Sequence, residues 1–279
     1  MTVAQPRPIV RRGGLHALAA YLRPQEAIPR GTYLAILIAS AGGLVALWCI
    51  LTYGGLVEPL FLPSPTAIAK SGAEMTADGS LLGNAGASLY VIVTGWALAV
   101  VTGVPTGILM GSFKAVEALI EPVIDFVRYL PVSALIPLLI LYIGIGTAEK
   151  VAVIFIGTFF QLVLLVADVS AHVPREQIDV SYTLGASRAQ VVRRVLLPAT
   201  LPGVMDTLRI TMGWAWTYLV VAELVSADRG LGYLILNSMR GLFTDRIFVG
   251  LFTIGGLGLG FDLLFKWLHR RLLPWSPKA

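Results

Sequence analysis

This sequence encodes an all-α, polytopic membrane protein with about six transmembrane helices, on three grounds. Of its 279 residues, 56% are hydrophobic and 13% are charged. Apolar runs recur at the ~18 to 20 residues that a helix needs to cross a bilayer. Between the fourth and fifth runs lies a single polar loop, Val173 to Pro202, too charged to lie in lipid and too patterned for a slack linker. A net charge of +5 would suggest nucleic acid in a soluble chain. Here the basic residues cluster beside the apolar runs, which is a topology signal instead. Cys49 is the single cysteine, so no internal disulfide can form.

Residues 1–32 are polar and rich in Arg and Pro, with Arg7, Arg11, Arg12, Arg23 and Arg30, and read as a cytoplasmic tail. A transmembrane domain follows over 33–268, with the polar loop at 173–202, and 269–279 form a C-terminal cytoplasmic tail. The first span is Tyr33 to Tyr53. Ala39-Ser40-Ala41 within it has the form of a signal-peptidase site, but the apolar run continues well past it, so a signal anchor is expected. Gly54 to Gly83 holds a turn at Leu62-Pro63-Ser64-Pro65 and a weakly amphipathic segment, Thr66 to Met75, on the outer membrane surface.

The second span is Asn84 to Leu109. Gly103, Gly107 and Gly111 are four apart and allow close helix contact, and Pro105 among them predicts a kink. Gly111 to Lys114 is a tight inner loop. The third span, Ala118 to Ile143, contains Pro122, Pro131 and Pro137, which predict a broken helix; membranes tolerate one only where protein or a cavity satisfies the freed backbone groups. After an outer turn at Gly144 to Thr147, the fourth span, Val151 to Val169, carries Gln161 near its middle. The fifth begins soon after Pro202 and ends near Leu224. Ser226 to Arg246 is an outer loop with a short helix at Tyr233 to Met239, and the sixth span is Ile247 to Leu268. Placing the tails and alternate loops in the cytoplasm gives about fourteen Lys and Arg inside against about five outside, the asymmetry that orients membrane helices.

In the polar loop, Pro174 suits the first turn of a helix, and Glu176 and Asp179 bring negative charge to its free N–H groups. Gly185 ends or bends that helix. Ser187 can cap a second one, Ala189 to Leu197, where Val191, Val192, Val195 and Leu196 recur at helical spacing beside Arg193 and Arg194. Pro198 is expected to stop it. A helix, a glycine turn and a second helix at a membrane face form a shape suited to docking.

This stretch resembles the cytoplasmic signature loop of permease subunits in bacterial ABC importers. That pattern is Glu-Ala-Ala, three residues, Gly, nine residues, then Ile, any residue, Leu-Pro. Asp179, Val180 and Ser181 stand at the degenerate opening, Gly185 at the glycine, and Val195, Leu197 and Pro198 at the close. The resemblance implies an ATPase-coupling loop comprising Glu176, Asp179, Ser181, Gly185, Ala186, Ser187, Val195, Leu197 and Pro198. Beyond the loop, FLPSPTAI, PVSALIPLLILYIGIG, LRITMGWAWTYLVVAEL, GLGYLI and TDRIFVG look like the taurine, aliphatic sulfonate and nitrate branch of these permeases.

Chemistry of other kinds finds little support. Gly256-Leu-Gly258-Leu-Gly260 lies in an apolar span with no preceding strand or phosphate-binding Lys, so helix packing is expected. No GxxxxGK[ST] loop occurs, and any ATP driving this chain must be bound by a partner. His16, His172 and His269 are far apart and read as solvated or headgroup-facing, without metal-ligand spacing. No Ser, His and acid combination marks an enzyme.

A charge at the centre of a helix in lipid costs about 2.5 to 3.5 kcal/mol on insertion scales, so Asp125, Arg128 and Glu223 should face protein or water. Asp125 and Arg128 are three apart on one face, which admits either mutual neutralisation or a substrate role for Arg128. Glu223 admits a path role or a structural hydrogen bond. Gln161, Trp214 and Tyr218 complete the candidate translocation path; for the aromatics, packing or interfacial anchoring stands beside that reading. Arg209 admits an inner gate or snorkelling.

The resemblance implies two permease copies, commonly identical, in the bacterial inner membrane with both termini cytoplasmic. It also implies two ABC ATPase subunits that bind ATP and Mg, and a periplasmic or lipid-anchored substrate-binding protein. No cofactor is expected in this chain. A small anion, taurine or another sulfonate ahead of nitrate, is the expected cargo. The alternatives are a riboflavin or thiamine-pyrimidine precursor stacking on Trp214 and Tyr218, or an ion-coupled secondary transporter, which would usually show internal repeats.

Overall fold

The computed structural model describes residues 28–226 and 228–276. The predicted N-terminal tail as far as residue 27, with His16, and the last three residues lie outside the described residues. Among these, every regular element is a helix. The chain forms two compact units, one ending at Pro59 and the other beginning at Leu60. The first holds α1 (Arg30–Tyr53), which starts three residues ahead of the apolar run because Pro29 opens it and Tyr33 N–H donates to the Pro29 carbonyl at 3.0 Å.

In the second unit, α2 (Pro65–Ala77) begins where Ser64 accepts from Ala67 N–H at 3.3 Å with Pro65 in the first helical position. There follow α3 (Ser80–Ser112), α4 (Lys114–Val127), α5 (Val132–Ile143) and α6 (Thr147–Ala171), then the loop helices α7 (Arg175–Thr183) and α8 (Arg188–Val191). A π-helical turn, Val192–Leu196, leads into α9 (Leu197–Ser226), and α10 (Leu231–Arg240) and α11 (Thr244–Leu272) complete the unit.

Helices α3 and α6 share the most extensive contact, and its cause is a stripe of small residues at every fourth position. A Cβ at Gly95 would lie 2.8 Å from Ile154 Cβ, one at Gly103 3.1 Å from Leu162 Cδ2, and one at Gly107 2.6 Å from the Val163 carbonyl oxygen. At Gly111 it would collide with the Ala167 carbonyl, and Ala99, in the same register, is fully buried. Without side chains between them the two backbones approach closely, and dispersion contacts replace the hydrophobic drive that lipid cannot supply. Ile92, Ile154, Ala215, Trp216 and Leu219 then join α3 and α6 to α9, with Phe265 of α11 closing that core.

Prolines shape the remaining elements. The pair α4–α5 bends by 94° at Arg128 to Pro131, as the three prolines of the third span foretell. Pro131 offers no N–H and disfavours helical geometry at Leu130. At Pro198 the expectation of a helix stop is overturned. Leu197 N–H bonds the Val192 carbonyl, five residues back, so a wider π turn stands just ahead of the proline, which has no N–H to donate. The second loop helix therefore runs without a break through Pro198 and Pro202 into α9, which begins at Leu197 rather than after Pro202.

Two smaller expectations also change. The inner loop after α3 reduces to one non-helical residue, Phe113. Of the glycines in Gly256-Leu-Gly258-Leu-Gly260, only Gly258 approaches a neighbour, with Trp216 Nε1 3.8 Å from its Cβ position. Four helices, α1, α3, α6 and α11, are long and apolar enough to cross a bilayer, or five spans if the bent pair counts as one. Helix α9, 30 residues long, carries the predicted fifth span, and its Thr, Trp, Tyr and charged residues leave it without an 18-residue stretch as apolar as those of the four.

Candidate functional site

The polar loop is a built structure rather than a connector. Helix α7 ends in a Schellman motif: Gly185 N–H donates to the Tyr182 carbonyl at 2.9 Å and Ala186 N–H to the Ser181 carbonyl at 3.0 Å. Gly185 has φ +81, the left-handed conformation that the motif requires. Ser187 then caps α8 with a full capping box, its Oγ accepting from Gln190 N–H while Gln190 Oε1 accepts from Ser187 N–H at 2.8 Å. Ser181 Oγ and Thr183 Oγ1 donate back to carbonyls one turn earlier, at 2.7 and 2.9 Å.

Glu176 and Asp179 are exposed on α7, and Val180, Tyr182 and Leu184 are exposed apolar side chains at the same tip, Leu184 at 82%. Val191 and Leu196 are buried on the loop's second limb, with Val195, Leu197 and Pro198 half-buried beside them. Exposed apolar residues on a rigid, polar-sided hairpin of helices make a surface fit for a partner's groove.

Three of the path candidates come together. Arg128, Gln161 and Tyr218 line one cavity of about 250 Å³ at the α4–α5 break. The Arg128 guanidinium sits 3.1 Å from Asp125 Oδ1, donates to Tyr129 Oη at 3.0 Å and lies 4.6 Å from the Tyr129 ring centroid. The ion pair with Asp125 is thus present and leaves Arg128 on the cavity wall. Gly157, which no motif flagged, shapes the same wall: a Cβ there would fall 2.7 Å from Tyr218 Cδ2, so only glycine lets that ring lie against α6. Trp214, 37% exposed, is not among the lining residues.

Glu223 lies elsewhere, only 1% exposed, at the end of the bundle opposite the loop. Its Oε1 accepts from Ser88 Oγ at 2.6 Å and its Oε2 from Gly232 N–H at 2.7 Å, while Ser88 Oγ accepts from Leu231 N–H at 2.8 Å. Asn84 Oδ1 accepts from Gly230 N–H at 2.9 Å, so one carboxylate and two α3 side chains hold the start of α10. Nearby, Ser226 Oγ donates to the buried Glu149 at 2.6 Å, and Lys150 Nζ is 3.9 Å from Asp228. The expected fourth span, from Val151, begins after Glu149 and Lys150, whereas α6 starts at Thr147 and buries both; the adjacent charges at the head of an apolar run were the available signal.

At the loop end, Arg209 pairs with Asp262. His269 is buried, not solvated, with Nε2 3.2 Å from Ser276 Oγ, whereas His172 is exposed beside Asp168. Among the described residues no group of three or more His, Cys, Asp or Glu side chains is arranged to hold a metal ion.

A helical membrane bundle with a polar cavity at a broken helix and a hydrogen-bonded helical loop with an exposed apolar tip at one end is the architecture of a multi-pass transport permease. The family described as binding-protein-dependent transport system inner membrane component matches residues 103–274, and the chain belongs to that family. It is 37% identical over 232 residues to a probable ABC transporter permease protein of Brucella abortus, covering 83% of this chain and 92% of that one. To the taurine transport system permease protein TauC of Escherichia coli it is 32% identical over 252 residues, covering 88% and 92%. In structure it is similar to a chain of an inward-facing MetNI methionine ABC transporter, with TM-score 0.62 and 21% identity over 71% of this chain and 98% of that one.

Proposed function

We propose that this chain is the membrane-spanning subunit of an ATP-driven importer for a small sulfonate of the taurine type, delivered by a binding protein on the outer side. The observation that carries the reading is the coupling loop: a Schellman turn at Gly185, a capped second limb and an exposed apolar tip. The extent of the match to TauC favours the sulfonate class. In this reading six segments cross the membrane, α9 and the bent α4–α5 pair among them, and both termini are cytoplasmic. Two copies pair around the pathway, and two ATPase subunits receive the loops and hold ATP and Mg. ATP can shift the pathway only through contacts that differ between its states, so the loop tip is where that difference enters.

The cavity at Arg128 supplies the passage chemistry. A sulfonate shedding water gains a guanidinium with several donors, the Gln161 amide and the Tyr218 hydroxyl. Asp125 keeps Arg128 partly neutralised, which favours transit over tight capture. Glu223 and Trp214 are outside this passage, Glu223 serving as the outer latch. The test is the ATPase rate of the permease purified with its ATPase in lipid, with binding protein loaded with taurine, nitrate or a vitamin precursor. Stimulation by the taurine-loaded protein alone is expected. Transport on an ion gradient without any ATPase would overturn the reading.

A further inference from the structure

Between α9 and α11, at the loop end of the bundle, lies a second cavity of about 240 Å³ that the transport reading does not use. Met205 and Phe265 form its apolar wall, and Asp206, Arg209, Lys266 and Arg270 its charged rim, with His269 beside them. Arg209 and Lys266 share one carboxylate, Asp262, with Lys266 Nζ at 2.8 Å. Asp206 lies 3.8 Å from His269 Nδ1. Arg270 has no ion pair among the described residues. Counting the Arg, Lys and Asp side chains among the described residues, three cations, Arg209, Lys266 and Arg270, face two carboxylates, Asp206 and Asp262, an excess of one positive charge.

The surface of α11 shows the depth at which this cavity opens. Leu259 and Leu263 are exposed apolar side chains; Trp267 follows at 57% exposure, and Arg270 next on the same face. A lipid-facing apolar strip that gives way to a tryptophan and then to Arg marks the boundary between acyl chains and headgroups. The cavity therefore opens at headgroup level, with Arg270 at its loop-end rim and the Arg209–Asp262 pair deeper in the bundle.

We propose that this cavity seats the phosphodiester of an anionic membrane lipid. One negative charge matches the excess, and the guanidinium and ammonium donors not engaged by Asp262 face the phosphate oxygens. Which leaflet supplies the lipid rests on the topology proposed above; the binding itself does not. A free phosphate ion offers the same oxygens but no acyl chain for the exposed strip of Leu259 and Leu263, and the level of Trp267 favours the lipid.

The experiment uses the full-length permease in neutral detergent, titrated with phosphatidylglycerol or phosphatidylcholine and read by native mass spectrometry. Inorganic phosphate is tested in parallel by thermal shift. Phosphatidylglycerol is expected to bind at least fivefold more tightly than phosphatidylcholine, and Arg270→Gln to weaken it about fivefold. Arg271→Gln, one residue outside the rim, should leave it unchanged. The lipid-free melting temperature of Arg270→Gln should match the parent, since no ion pair is broken. Equal binding of the two lipids, or equal effects of the two Arg variants, overturns the site. Inorganic phosphate stabilising the parent but not Arg270→Gln, without lipid preference, overturns the lipid assignment. None of these outcomes alters ATPase stimulation, so the two proposals fail separately.

Discussion

Gly185 offers a test in which backbone conformation and side-chain bulk separate. Its φ of +81 places it in the left-handed region, and a Cβ added there meets nothing within 4 Å. Gly185→Ala thus carries only the conformational penalty, about 1–2 kcal/mol for an ordinary residue in that region. Such a penalty lowers the population of the closed Schellman turn by about five- to thirtyfold relative to its open forms. Asn adopts this conformation at a smaller penalty, so Gly185→Asn should retain most of the parent's behaviour. Gly185→Glu adds a long charged side chain at the tip and should abolish coupling while leaving membrane insertion intact. The assay is ATP hydrolysis by the reconstituted complex with and without loaded binding protein, normalised to permease in the membrane. An Ala variant with full stimulation, or Ala and Asn variants equally impaired, would refute the argument from backbone conformation.

Within the bundle, Gly107→Ala should lower the melting temperature in detergent, because its Cβ would press on the Val163 carbonyl at 2.6 Å and overpacking costs about 1–3 kcal/mol. Gly86→Ala, with open space around it, should leave that temperature unchanged or raise it slightly. At the start of α10, Glu223→Ala orphans the Gly232 N–H and removes the acceptor of Ser88, at about 1–3 kcal/mol for each unpaired buried group. Limited proteolysis near Gly230 should then quicken; an unchanged cleavage rate would show that α10 is held by other contacts. In the cavity, Arg128→Gln should reduce taurine uptake about tenfold or more while co-purification of the ATPase stays at the parent level, and unaltered uptake would remove Arg128 from the passage.

Legibility varied with how local the determining physics is. The apolar runs, the broken third span with its three prolines, the turn at Gly185 and the cap at Ser187 are all short-range effects, and the structure carries each of them. Pro198 misled because a proline read alone predicts a stop, whereas a π turn stands just before it and the helix continues. The stripe on α3 was seen at Gly103, Gly107 and Gly111 but extends to Ala99 and Gly95, since a partner's backbone, not composition, defines how far close approach continues. Glu149, Gly157, Ser88 and the buried His269 depend on residues far away in the chain, and no periodicity reports such meetings. Among the path candidates, the sequence could not distinguish Glu223 from Arg128; one is enclosed by hydrogen bonds and the other stands on a cavity wall.

The continuity of helix across Pro198 has a mechanical meaning. From Arg188 to Ser226 the backbone passes through α, π and α turns without one non-helical residue. At one extremity is the second limb of the polar loop; near the other, Glu223 holds the Gly232 amide at the start of α10. With no non-helical residue between them, a tilt imposed at the tip would be carried along the whole shaft. The π turn, its hydrogen bonds already widened, is the natural place for torsion to be absorbed or passed on. Exchanging Pro198 for alanine, which restores an N–H just after that turn, would therefore change how faithfully a tilt at one end is carried to the start of α10 at the other.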